Sequence, residues 1–118
     1  MVARARGVRA ARLQAIKTDI VANLADETLA VANVAARHGV TPRYLPKLFE
    51  DEGVTYTLFV LRHRLDRAFH MLRDPRCSAR RISEIAYDVG FGDLSYFNRA
   101  FRRRYDATPS DIRNTGLG

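Results

Sequence analysis

Apolar positions recur at intervals of three and four along the chain, which predicts a succession of amphipathic helices. Leu13, Ile16, Ile20 and Leu24 open the series and give a first helix from about Val8 that ends before Ala25. Thr28 is the candidate N-cap of the next helix, which carries Val31, Val34, Ala35 and His38 on one face and stops at Gly39. No Glu or Gln stands three residues after Thr28 to complete a capping box. Thr41-Pro42 is a stronger start signal, because Pro is favoured at the first helical position, where its missing N–H costs nothing. The helix it opens runs from Pro42 to about Glu52, with Leu45, Leu48 and Phe49 inward, Arg43, Lys47 and Glu50 outward, and Gly53 ending it.

The same pattern returns further on. Ile82, Ile85, Ala86 and Val89 form one apolar face, Gly90 supplies a left-handed turn, and Asp93 is placed to cap a new helix. In that helix Phe97, Ala100, Phe101 and Tyr105 face inward, whereas Leu94, Ser95, Asn98, Arg99 and Arg102 face outward. Ala35, Gly39, Thr41, Tyr44, Leu45, Lys47 and Phe49 thus repeat as Ala86, Gly90, Asp93, Tyr96, Phe97, Arg99 and Phe101, with one extra residue in the second turn. Between the copies Leu58, Leu61, Leu65, Ala68 and Leu72 draw one apolar stripe, so a connector helix of about 15 residues joins them and ends at Asp74-Pro75. Thr108-Pro109-Ser110-Asp111 has the form of a capping box and opens a short last helix through Ile112 and Arg113.

The chain therefore reads as an all-α fold of two helix-turn-helix lobes, about seven helices in all, joined by a long connector helix. Residues 1–9 read as a linker or frayed start, 10–55 as the first lobe, 56–74 as the connector, 75–113 as the second lobe and 114–118 as a disordered tail. A connector of about 16 residues spans about 24 Å at 1.5 Å per residue, which suits two outward helix faces offered to successive major grooves.

Composition narrows the partner. The 118 residues suffice for one domain or two small lobes, and 20 Lys plus Arg against 13 Asp plus Glu leave a net charge of +7, the balance of a nucleic-acid binder. The cations lie at the ends: residues 1–17 carry five basic and no acidic side chains. The single Cys77 excludes a disulfide within the chain and fits a reducing compartment. No stretch approaches the roughly 18 apolar residues of a membrane span, and the Arg-rich start has no apolar core behind it, so the chain reads as cytoplasmic. His63, Asp66 and His70 fall at i, i+3 and i+7 without a fourth ligand beside them, and no His is paired with a Ser or Cys nucleophile. No metal, no cofactor and no enzymatic activity are expected. Arg62, Arg67 and Arg73 read as solvated.

In the segments Ile82–Phe91, Ser95–Arg103 and Thr108–Arg113 the sequence resembles the DNA-binding domain of AraC/XylS-type bacterial transcription regulators, and VAARHGVTPRYLPKLFEDEGVT with RLDRAFHML extends the likeness to the first lobe. The match covers roughly Leu13 to Arg113. It implies two helix-turn-helix lobes that bind double-stranded operator DNA, with base-reading positions at Arg43, Pro46 and Lys47 in the first reading helix and at Leu94, Ser95 and Arg99 in the second. Thr41, Asn98, Arg102 and Arg103 are assigned to phosphates, which set position rather than sequence. It also implies RNA polymerase as a partner, and an effector or dimerisation domain missing from this chain.

Three residues depart from the family pattern. Pro46 removes one backbone hydrogen bond from the first reading helix, at a cost that can reach about 3 kcal/mol. Asp106 stands where the family usually has Gly, and Ala30 where a capping Ser is common, a loss of about 1 kcal/mol. Two other readings of the basic helical chain compete with sequence-specific DNA binding. One is a protein-interaction adaptor, for example on RNA polymerase, and the other a nonspecific architectural DNA binder. The adaptor would recognise no operator, and the architectural binder would treat all duplexes alike.

Overall fold

The computed structural model describes residues 2–26 and 29–116, which form seven α-helices, one 3-10 turn and no strand. In order these are α1 (Val2–Ala22), α2 (Val31–Arg37), α3 (Tyr44–Glu50), α4 (Tyr56–Arg73), the 3-10 turn Pro75–Cys77, α5 (Ile82–Asp88), α6 (Leu94–Tyr105) and α7 (Pro109–Gly116). The chain divides into two compact units, residues 1–61 and 62–118, with the boundary inside α4.

The core of the first unit gathers Leu13, Ile16 and Ile20 of α1, Leu24 and Leu29 after it, Val34 and Ala35 of α2, and Leu45, Leu48 and Phe49 of α3. Helix α1 follows the predicted periodicity but begins at Val2, earlier than the start near Val8 that the spacing predicts and within the 1–9 stretch that reads as a linker. Ala and Arg are strong helix formers, and one Gly7 costs only about 1 kcal/mol against such a run. The N-cap of α2 is Ala30, with no side-chain bond to the free amides, and Thr28 lies outside the described residues.

Helix α3 is shorter than the Pro42-to-Glu52 span that the spacing predicts. Tyr44 N donates to Thr41 Oγ1 (3.1 Å), and Leu45 N donates to the Thr41 carbonyl (3.2 Å), so Thr41 does open the helix. Pro46 then has no N–H to offer the Pro42 carbonyl, and the regular ladder is continuous only from Tyr44. At the other end Glu52 N and Gly53 N bond three residues back, to Phe49 and Glu50, and close the last turn early.

Both helix-turn-helix bends use one device. Val40 N donates to the Ala35 carbonyl and Phe91 N to the Ala86 carbonyl, each at 3.0 Å, closing the six-residue loop that ends α2 and α5. The geometry needs a left-handed residue, supplied by Gly39 (φ 65°) and Gly90 (φ 109°). Asp93 Oδ1 then accepts from Tyr96 N at 3.1 Å, the same cap at α6 that Thr41 forms at α3.

The connector is one helix of 18 residues, about 27 Å long. Its buried face differs from the expected single stripe. Leu65, Ala68 and Leu72 are buried as predicted, but Leu58 and Leu61 are only half-buried, and Tyr56 and Val60 take the interior places in the first unit. The Tyr56 hydroxyl donates to the Leu29 carbonyl at 2.5 Å, and its ring meets Phe49 edge-on at 5.6 Å. The two halves of α4 serve different cores, so no single stripe runs its length.

In the second unit Phe97 and Phe101 of α6 are fully buried and touch Phe91 and Tyr105 in a chain of aromatic contacts 4.7–5.6 Å apart. The capping box at α7 is present in both directions: Asp111 N donates to Thr108 Oγ1 and Thr108 N to Asp111 Oδ2, each at 3.1 Å. Helix α7 continues to Gly116, through residues 114–116 of the expected disordered tail; residues 117 and 118 lie outside the described residues.

Helix α6 ends on Asp106 at φ 53°, ψ 33°, the one described non-Gly residue with positive φ. A left-handed residue with a Cβ costs roughly 1–2 kcal/mol, and a carboxylate also opposes the negative end of the helix. Asp106→Gly is therefore expected to stabilise the protein by about 1 kcal/mol, after the extra chain entropy of Gly is subtracted. A thermal melt checks this; an unchanged or lowered midpoint would show that Asp106 carries no strain.

Candidate nucleic-acid interface

The outward faces of α3 and α6 are built alike. Arg43, Pro46, Lys47 and Glu50 in the first unit, and Ser95, Asn98, Arg99 and Arg102 in the second, fall at i, i+3, i+4 and i+7. Arg43 and Lys47 are exposed and Pro46 is half-buried; Ser95, Asn98, Arg99, Arg102 and Arg103 are exposed and Leu94 is half-buried. Thr41 is exposed too, with its oxygen engaged in the cap of α3.

Charge pairing divides the surface cations into two sets. The ion pairs of the first unit join Arg9 to Asp51, Lys17 to Glu52, Arg37 to Asp19 and Asp26, and His38 to Asp19. Those of the second join Arg76 to Asp74, Arg80 to Glu84 and Asp88, Arg81 to Glu84, and Arg104 to Asp66. Among the described residues Arg43, Lys47, Arg99, Arg102 and Arg103 are in no ion pair, although, after the Thr108 hydrogen bonds, the Arg102 charge helps to hold the Asp111 carboxyl below its ordinary value. Of the Arg102-Arg103-Arg104 run, Arg104 is in an ion pair with Asp66, whereas Arg102 acts on Asp111 only through space, a split that spacing does not show.

Its partner Asp66 also accepts from the Tyr105 hydroxyl, tying the end of α6 to the second half of α4. Burial alone would raise the Asp66 carboxyl, but the Tyr105 and Arg104 hydrogen bonds outweigh it and hold it below its ordinary value. Burial and the bond to Asp66 push the Tyr105 phenol up to about 12, so it stays a donor at neutral pH. Asp66 is thus occupied by the fold. Among the described residues no group of three His, Cys, Asp or Glu side chains is disposed to hold a metal ion.

In the first unit the half-buried His38 at the end of α2 places Nε2 2.7 Å from Asp19 Oδ2, and Arg37 Nε donates to the same oxygen at 3.1 Å. Burial would again raise Asp19, but these partners hold it low. A carboxyl with a folded-state pKa below its unfolded one adds stability above the unfolded value, near 3.8, and loses it as the pH falls through the folded one. The melting midpoint is therefore expected to fall below about pH 4. Asp66→Asn should flatten part of that fall; equal pH dependence in parent and variant would refute the assignment.

A hollow of about 490 Å³ lies beside α6, lined by Leu94, Asn98, Arg99 and Arg102 from its outward face. Ile82 and Ser83 from the start of α5, and Thr108, Pro109 and Ser110 from the start of α7, complete its wall. Four of the sequence-predicted residues meet there, while Ser95 and Arg103 lie outside it. Periodicity does not mark Ser83 and Ser110 as neighbours of this face, because only folding brings the first turns of two other helices against α6.

Two units, each a helix-turn-helix whose second helix presents exposed cations, define a DNA-binding domain. The family model described as "Helix-turn-helix domain" matches residues 34–115. The transcriptional activator RhrA of Rhizobium meliloti (strain 1021) is 44% identical over 102 residues, 86% of this chain and 32% of RhrA. The transcriptional activator RhaS of Klebsiella pneumoniae (strain 342) is 38% identical over 81 residues, 68% of this chain and 28% of RhaS. An AraC-type DNA-binding-domain regulator from Chromobacterium violaceum superposes with a TM-score of 0.81 at 26% identity, covering 91% of this chain and 93% of that one. The chain belongs to the AraC/XylS family and is the DNA-binding domain of a transcription regulator. It spans about a third of the length of these curated relatives. Among the described residues no helix is long and apolar enough to cross a membrane.

Proposed function

We propose that this domain reads operator DNA with two helices, α3 and α6, each entering a major groove roughly 12 Å wide. The observation that carries the reading is the exposed cationic face of α6, where among the described residues Arg99 and Arg103 enter no ion pair and Arg102 acts only through space on the exposed Asp111 carboxylate, while Arg104 is bound to Asp66. Arg43, Pro46 and Lys47 in the first lobe and Leu94, Ser95 and Arg99 in the second meet base edges. Arg is suited to the O6 and N7 acceptors of guanine, whereas Leu94 offers only apolar contact, as to a thymine methyl. Thr41, Asn98, Arg102 and Arg103 hold phosphates, with Ser83 and Ser110 adding hydroxyl donors around the hollow beside α6.

RhrA and RhaS are named as activators, and the parent regulator is proposed to activate transcription in the bacterial cytoplasm, with RNA polymerase as partner and a further domain for effector binding or dimerisation. Selection of duplexes from a randomised pool at about 0.15 M salt tests the DNA reading, since nonspecific phosphate binding is already weakened there. Two enriched blocks about 10 base pairs apart are expected. One block would mean that a single lobe reads, and no enrichment would leave an adaptor or an architectural binder.

A further inference from the structure

In the repeat register, position 50 of α3 corresponds to position 102 of α6, and the charges there are opposite. Where the second reading helix ends in Arg102-Arg103-Arg104, the first ends in Glu50-Asp51-Glu52. Two of these three carboxylates are accounted for. Asp51 pairs with Arg9 at 2.6 Å and Glu52 pairs with Lys17, both partners lying on α1. Glu50 is exposed, takes part in no ion pair among the described residues of its unit, and completes the outward stripe of Arg43, Pro46 and Lys47. Nor does it serve the helix, because a carboxylate in the last turn opposes the dipole.

A carboxylate that enters a DNA groove on this stripe meets repulsion from every phosphate and acceptance from few groups. Ionised Glu only accepts hydrogen bonds, and the donors on the floor of the major groove are the exocyclic amino groups of cytosine and adenine. Four positions at i, i+3, i+4 and i+7 are also the set with which a recognition helix of homeodomain type reads bases. We propose that Glu50 is a specificity-determining residue of the first reading helix, accepting a hydrogen bond from the N4 amino group of a cytosine. This rests on the major-groove reading of α3 proposed above. It gives Glu50 the opposite task from Arg102: it disfavours every sequence except those that place a cytosine beside it.

The test is duplex selection with the wild-type chain, Glu50→Ala and Glu50→Gln under one salt condition, with thermal melts to confirm that all three fold alike. In Glu50→Ala the cytosine preference should disappear from one column of the first block, with the other columns kept and the preferred duplex bound about 5- to 140-fold more weakly. In Glu50→Gln the same column should move toward adenine, which Gln contacts through N6 and N7. If Glu50→Ala keeps every column and merely binds all duplexes more tightly, the carboxylate only repels and the proposal is overturned. An unenriched wild-type pool would overturn it together with the major-groove reading on which it rests.

Discussion

Replacing Phe101 by Ala is expected to destabilise the second unit by about 3–5 kcal/mol, a large part of the 5–15 kcal/mol that holds a typical domain folded. Phe101 is wholly buried, with ring contacts to Phe97 at 5.6 Å, Tyr105 at 4.7 Å and Phe69 at 6.4 Å. Truncation removes the central ring of this chain, and the neighbours are fixed by α4 and by the Gly90 turn, so the void cannot close by a local shift. Urea unfolding followed by circular dichroism gives the value directly, and DNA binding should fall with it because α6 loses its support. A loss under about 1 kcal/mol would mean that the aromatic cluster is far looser than its burial implies.

The second large effect is expected at Arg99, on the opposite face of the same helix. Arg99→Ala should cost about 1–3 kcal/mol on the preferred duplex and flatten one column of the selected motif, as loss of a bidentate base contact does. Arg103→Ala, one turn further on, should weaken all duplexes to a similar degree and reduce the salt slope by about 1. The contrast separates base reading from phosphate grip, since both residues are exposed arginines of one helix and neither is in an ion pair among the described residues. Equal, sequence-independent losses from the two variants would remove Arg99 from the base-reading set.

Both effects depend on α6 being held at a fixed angle, and the restraints come from several elements. The cap at Asp93, the buried Phe97 and Phe101, and the Asp66 pair with Arg104 and Tyr105 fix its start, middle and end. Helix α3 is set by fewer devices. Its cap at Thr41 is sound, but Pro46 leaves the Pro42 carbonyl without its helical donor, and α2 before it starts at Ala30 without a side-chain cap.

The sequence alone determined the helical class, the tandem repeat, both glycine turns, the caps at Thr41, Asp93 and Thr108, and the inward faces of the reading helices. Each of these is written in spacing: contacts at i+3 and i+4, a left-handed residue at a helix end, a side-chain oxygen three residues before an amide. The outward stripes followed as the complement of the inward ones. What only the tertiary structure decided depends on residues distant in the chain. Arg104 looks like Arg102 and Arg103 until Asp66, 38 residues earlier, claims it. Tyr56 and Val60 displace Leu58 and Leu61 from the interior because the first half of α4 answers to the core around Phe49. Asp51 and Glu52 turn to Arg9 and Lys17 of α1, and so Glu50 stands apart from the acidic run to which it belongs in sequence. Periodicity reports which face of a helix is apolar. Which charge remains free on the other face depends on what the rest of the chain brings beside it.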